Sequence, residues 1–119
     1  MRATERLAST PRDRLLAIFD AHGAWFHESS FSGCIYINAA AEFSSQDDPN
    51  HIACAEHKRL VRDYLRRLAE QAGARSPALA AQLNMLQEGA IVEAHVSGNR
   101  DAASLARAMA AVFVAQACD

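Results

Sequence analysis

Cys34, Glu42 and His57 supply a thiol, an acid and a base, the residue types that nucleophilic catalysis needs. Their surroundings argue against that use. The cysteine lies in no nucleophile elbow and in no signature of a cysteine-dependent enzyme. We therefore expect a small core or pocket cysteine and a hydrogen-bonded histidine, and no catalytic residues. His51, Cys54 and His57 invite a metal reading through their spacing of three. On a helix each such step turns the direction by about −60°, so the outer pair diverges by about 120° and cannot converge on one ion unaided. Neither metal nor cofactor is expected.

Lys58, Arg59, Arg62, Arg66 and Arg67 form a basic stretch, but Glu56, Asp63 and Glu70 are interleaved with them at helical ion-pair spacing. That pattern reads as a solvated outer face. Asn38 and Glu42 are more informative. They stand four apart in a short segment otherwise built from Ile35, Tyr36, Ile37 and three alanines. Polar groups on an apolar helix need partners, and His57 and Tyr64, on one face of the next helix, are available. The set either ties two helices together or orients the polar end of a bound molecule. Trp25, Phe26, Phe31, Met85 and Leu86 would supply apolar walls, with Cys34 among them, although core packing is the default for each taken singly.

Five helices are needed to position these residues. Thr10-Pro11-Arg12-Asp13 gives an N-cap, a proline in the first turn and an early acid, and Leu15, Ile18, Phe19, Gly23 and Phe26 continue on one face, so a helix is expected over 11–27. A short helix over 34–43 follows a loop, and Ser44 to Pro49 breaks it. Asn50 is expected to cap a longer helix ending at Gly73. Ser76-Pro77 opens a fourth through Val96, and Gly98-Asn99 closes it. Asp101 is expected to cap a fifth reaching Ala117. Residues 3–9 read as the tail of a helix begun elsewhere.

Gly (5) and Pro (3) are scarce while alanine is abundant, which favours helix over strand. The expected fold is all-α, one five-helix domain over residues 10–119. Three widely spaced cysteines, Cys34, Cys54 and Cys118, make no disulfide framework and suit a reducing cytoplasm. No apolar run has the length of a membrane span, and the first residues carry no signal-peptide core. A net charge of −2 argues against this chain gripping nucleic acid by itself.

The last helix is apolar nearly all round: from Ala102 to Cys118 only Ser104, Arg107 and Gln116 are polar. A helix with no solvated face must be covered on both sides, and a second copy is the natural cover. The expected assembly is an isologous homodimer built on the last two helices of each copy. Leu79, Leu83, Leu86 and Ala90 are expected at that interface from the fourth helix, and Leu105, Met109, Val112 and Phe113 from the fifth.

The run Phe31-Ser32-Gly33-Cys34-Ile35-Tyr36-Ile37-Asn38-Ala39-Ala40-Ala41-Glu42-Phe43 resembles a segment of many TetR-family transcription regulators. So do Ala55-Glu56-His57-Lys58, the stretch from Gln82 to Val92, and Gly98 before an alanine-rich helix. Thr10-Pro11-Arg12-Asp13-Arg14-Leu15-Leu16 is similar to the start of the C-terminal domain in the same family. The resemblance spans nearly the whole chain from Leu7. It implies a core that dimerises through its last two helices, over about 77–96 and 101–117, and encloses a small-molecule effector among the others. It also implies a three-helix DNA-binding headpiece, joined by a connecting helix of which residues 1–9 would be the end. That headpiece is missing from these 119 residues. DNA binding would belong to it, and effector binding would shift its operator affinity.

Overall fold

The computed structural model describes residues 8–118. Among these residues five helices follow one another: α1 (Pro11–Phe26), α2 (Ile35–Glu42), α3 (Pro49–Gln71), α4 (Ala78–Val96) and α5 (Ala102–Ala117). No strand occurs among the described residues. An isolated bridge between Ala74 and Cys118 fastens the α3–α4 turn to the end of α5. The expected connecting-helix end falls, as far as Leu7, outside the described residues.

The caps follow from the sequence. Thr10 Oγ1 accepts from the Asp13 amide at 3.1 Å, and Pro11 takes a first-turn position where a missing N–H costs nothing. Asp48, not Asn50, caps α3: its carboxylate accepts from the Asn50 amide at 2.8 Å, with Pro49 as the first helical residue. The break expected across 44–49 thus ends one residue early, because Asp-Pro is a cap-then-proline pair like Thr10-Pro11. At the start of α4, Ser76 Oγ accepts from the Ala78 amide. Asp101 precedes α5 but makes no side-chain cap bond; the Asn99 side chain instead accepts from the Asp101 amide.

α1, α4 and α5 make the centre. Leu15, Phe19 and Phe26 of α1 meet Leu79 and Leu83 of α4, Val114 of α5, and Leu65 of α3 in one continuous core. Small residues allow close approach: Ala102, Ala103, Ala106 and Ala110 form the inner stripe of α5, and Ala103 Cβ lies 3.6 Å from where a Cβ on Gly23 would stand. Two polar ties at the surface join these helices. Asp20 of α1 pairs with Arg107 of α5 at 3.0 Å. Arg100, in the α4–α5 turn, donates to the Phe26 carbonyl at 2.7 Å and so satisfies one of the free carbonyls at the end of α1.

α2 is set differently. It packs on α3 and buries none of its residues completely. Gly33 delivers the chain to it at φ 87°, the left-handed region, and a side chain there would run into the His95 ring. α2 thereby lies as a flap over the middle of α3.

The outer faces of α4 and α5 are left uncovered by the chain. Met85, Val92 and Val96 on α4, with Leu105, Met109 and Val112 on α5, are exposed. Leu79, Leu83 and Ala90, expected at a subunit interface, instead point into the core, with Leu79 and Leu83 only 1% exposed. The reason is register. The inner stripe of α4 runs through residues 79, 83, 87, 90, 91 and 94, and residues 85, 92 and 96 fall on the opposite side.

Candidate functional site

A cleft of about 260 Å³ opens where α1, α2, α3 and α4 converge. α1 contributes His22 and Trp25, one turn apart. The start of α2 brings Ile35 and Tyr36, with Cys34 just ahead of it. α3 presents His57, Lys58 and Val61, and α4 presents Gln87, Glu88 and Ile91. The walls are mainly apolar. Behind them, Trp25 meets Phe31 edge-on with ring centres 4.9 Å apart, and Phe26 lies 5.1 Å from Phe31. This aromatic cluster fixes the Trp25 indole at one side of the cleft. At the other side the His57 imidazole stacks on Tyr36, 3.7 Å between centres and 11° from parallel.

The polar groups form two connected sets. His22 Nε2 lies 2.9 Å from Gln87 Oε1, and Gln87 Nε2 donates to Asn84 Oδ1 at 3.1 Å. Gln87 is the buried polar side chain of the described core. Burial holds the His22 imidazole below its ordinary value; the bond to Gln87 opposes that shift in part, and nearby Lys58 adds to it. His22 is therefore neutral at neutral pH and donates its Nε2–H to Gln87. In the second set, Lys58 Nζ sits 2.8 Å from Glu88 Oε1 and donates to Cys34 Sγ at 3.6 Å. Both charged side chains are about a quarter exposed.

Lys58 thus leaves the basic stretch that the sequence suggests and turns into the cleft. The rest of that stretch behaves as a solvated face: Arg59 bonds Glu56 and Asp63, and Arg66 pairs with Asp63. The pairing holds the Glu56 carboxyl below the usual range and the Arg59 guanidinium above its own.

The structure brings together Trp25, Cys34 and His57 among the expected ligand-binding residues, with Phe26 and Phe31 in support behind Trp25. It does not bring in the others. Asn38 is exposed and donates to the Ser32 carbonyl at 3.1 Å, and Glu42 is exposed at the end of α2. The expected network of Asn38 and Glu42 with His57 and Tyr64 is replaced by the Tyr36–His57 stack. Tyr64 is half-buried against the core. Met85 and Leu86 line a different groove, of about 280 Å³, between α4 and α5, together with Leu105 and Met109. Cys34 and His57 share the cleft, yet the thiol meets Lys58 and the imidazole meets Tyr36. Among the described residues no three His, Cys, Asp or Glu side chains are grouped to hold a metal, and no helix is long and apolar enough to cross a membrane.

His22, Lys58, Gln87 and Glu88 were missed by reading the sequence. One signal was present: Gln87 and Glu88 sit beside Leu86 on a largely apolar helix, where a polar pair needs partners.

The sequence matches the family described as Tetracyclin repressor-like, C-terminal domain, over residues 11–112. The chain belongs to that family. Its fold is similar to that of a TetR-family transcriptional regulator from Streptomyces coelicolor, at a TM-score of 0.89 and 19% identity, covering 99% of this chain and 63% of that one. It is also similar to a putative TetR transcriptional regulator from Streptomyces avermitilis, at a TM-score of 0.84 and 25% identity, covering 92% of this chain and 60% of the other. The TetR-like domain thus spans about three fifths of the length of these two regulators. Comparison with proteins of curated function gives no match.

Proposed function

We propose that this TetR-like domain binds a small-molecule effector in the cleft between α1, α2, α3 and α4 and pairs with a second copy through the outer faces of α4 and α5. The observation that carries the reading is the cleft itself. Four helices meet around mainly apolar walls with a few directed polar groups, the composition of small-molecule sites. Its size suits a compact ligand. An effector filling the cleft would bias the relative positions of α1 and α4, the two helices that hold its inner polar set. α1 begins at Pro11, near the start of the chain, so such a shift would reach any headpiece attached ahead of it, and operator affinity would change through a population shift. The domain makes and breaks no bond in this scheme, works in the cytoplasm, and meets DNA only through that headpiece.

A homodimer is supported by six exposed apolar side chains on the outer faces of α4 and α5. The same face would serve a dimerisation module with no physiological ligand. Native mass spectrometry of freshly purified protein separates the two. A dimer carrying an additional small mass supports effector sensing. A dimer that neither retains nor takes up any small molecule leaves only the module, and a monomer at micromolar concentration refutes the assembly.

A further inference from the structure

Accepting the cleft as an effector site, we infer that its ligand is a small, flat, uncharged molecule whose polar head both donates and accepts hydrogen bonds, of the aromatic amide or phenol type. The charges of the cleft are already balanced. Lys58 and Glu88 neutralise one another at 2.8 Å, and Gln87, which faces the same space, is a neutral amide. His22 adds no charge, since burial keeps its ring unprotonated. An anionic ligand would have to take Lys58 away from Glu88, and a cationic one would have to take Glu88 away from Lys58. Either exchange leaves one unpaired charge against the apolar walls, a costly outcome for a pair largely withdrawn from water.

Shape and hydrogen-bonding capacity point the same way. The Trp25 indole and the parallel Tyr36–His57 rings flank the cleft and offer flat surfaces for a planar body. One N–H of Gln87 goes to Asn84, which leaves the second for an acceptor on the ligand. Lys58 likewise has a further N–H, and the carboxylate of Glu88 has lone pairs to receive a donor. A head group carrying both C=O and N–H, or a phenolic O–H, satisfies these groups without disturbing the ion pair.

The test is an isosteric charge series of 2-naphthamide, 2-naphthoate and 2-naphthamidine, titrated calorimetrically into the whole chain at about pH 8. The expected result is that the amide binds at least about tenfold more tightly than either charged isostere. Glu88→Gln, which frees Lys58, should move the preference to the naphthoate, and Lys58→Met, which frees Glu88, should move it to the naphthamidine. Tightest binding of a charged compound by the unaltered chain overturns the charge rule while leaving the cleft a ligand site. So does an unchanged order of preference in both variants, provided they melt as cooperatively as the parent. If none of the three binds, the cleft reading falls with it.

Discussion

Leu105→Asp places a carboxylate in the middle of the apolar outer face of α5, at a side chain that is 61% exposed in the single chain. Covering a leucine completely is worth roughly 1.5–3 kcal/mol, so covering the open part of Leu105 contributes roughly 1–2 kcal/mol per copy. In an isologous pair one substitution acts twice, which raises the loss to roughly 2–4 kcal/mol. At about 1.4 kcal/mol per tenfold, dimer affinity should fall by between about one and three powers of ten. Taking two carboxylates out of water increases the loss further. The fold of each copy should be spared, because Leu105 makes no part of the buried core. Sedimentation velocity from about 1 to 50 μM reads the change directly, with far-ultraviolet circular dichroism as the control; the concentrations bracket ordinary dimer affinities. If Leu105→Asp sediments like the parent at every concentration, this face is not where two copies meet.

Leu83→Ala should behave in the opposite way. It removes a side chain only 1% exposed and should lower unfolding free energy by about 2–5 kcal/mol in a denaturant titration, with the dimer contacts themselves untouched. Gly33→Ala forces a side chain into the left-handed region and against His95, so it should destabilise the chain by about 1–2 kcal/mol and disturb the cleft rim at Cys34 and Tyr36, read as a lowered melting temperature and weakened 2-naphthamide binding. His22 gives a pH signature. Its folded value lies below the unfolded one, so the unfolded chain takes up the proton first. The stability it confers is complete above the ordinary imidazole value of 6.5 and falls as the solution is acidified below it. His22→Gln should flatten that part of a stability-against-pH profile, and an unaltered profile would refute the assignment.

The helices were legible because their ends are written in local chemistry. Thr10-Pro11, Ser76-Pro77, Gly73 and Gly98 act within one turn of where they stand. Asp48-Pro49 carries the same signal and was passed over, since Asn50 offers a competing cap two residues on. The cleft was harder to read because its partners are distant in sequence. Lys58 sits among arginines that face solvent, and Glu88, thirty residues later, draws it inward beside Cys34. His22 is one of several polar residues on α1 until Gln87 meets it across 65 positions. The position of α2 explains the opposite error. Asn38 and Glu42 looked buried because the segment around them is apolar, yet α2 lies flat on α3 and buries none of its residues completely, which leaves both polar groups in water. On α4 apolar residues stand on several sides, and their spacing alone did not say which leucines face inward. Leu79 and Leu83 took the core, and Met85 took the outside.

An inner ligand cleft and an outer pairing face divide the work of this domain. Backbone and methyl chemical-shift mapping with 2-naphthamide tests that division most directly. Shifts should gather at His22, Trp25, Val61, Gln87 and Ile91 and leave Leu105, Met109 and Val112 unmoved. Shifts concentrated at Met85, Leu105 and Met109, with His22 and Trp25 silent, would contradict it.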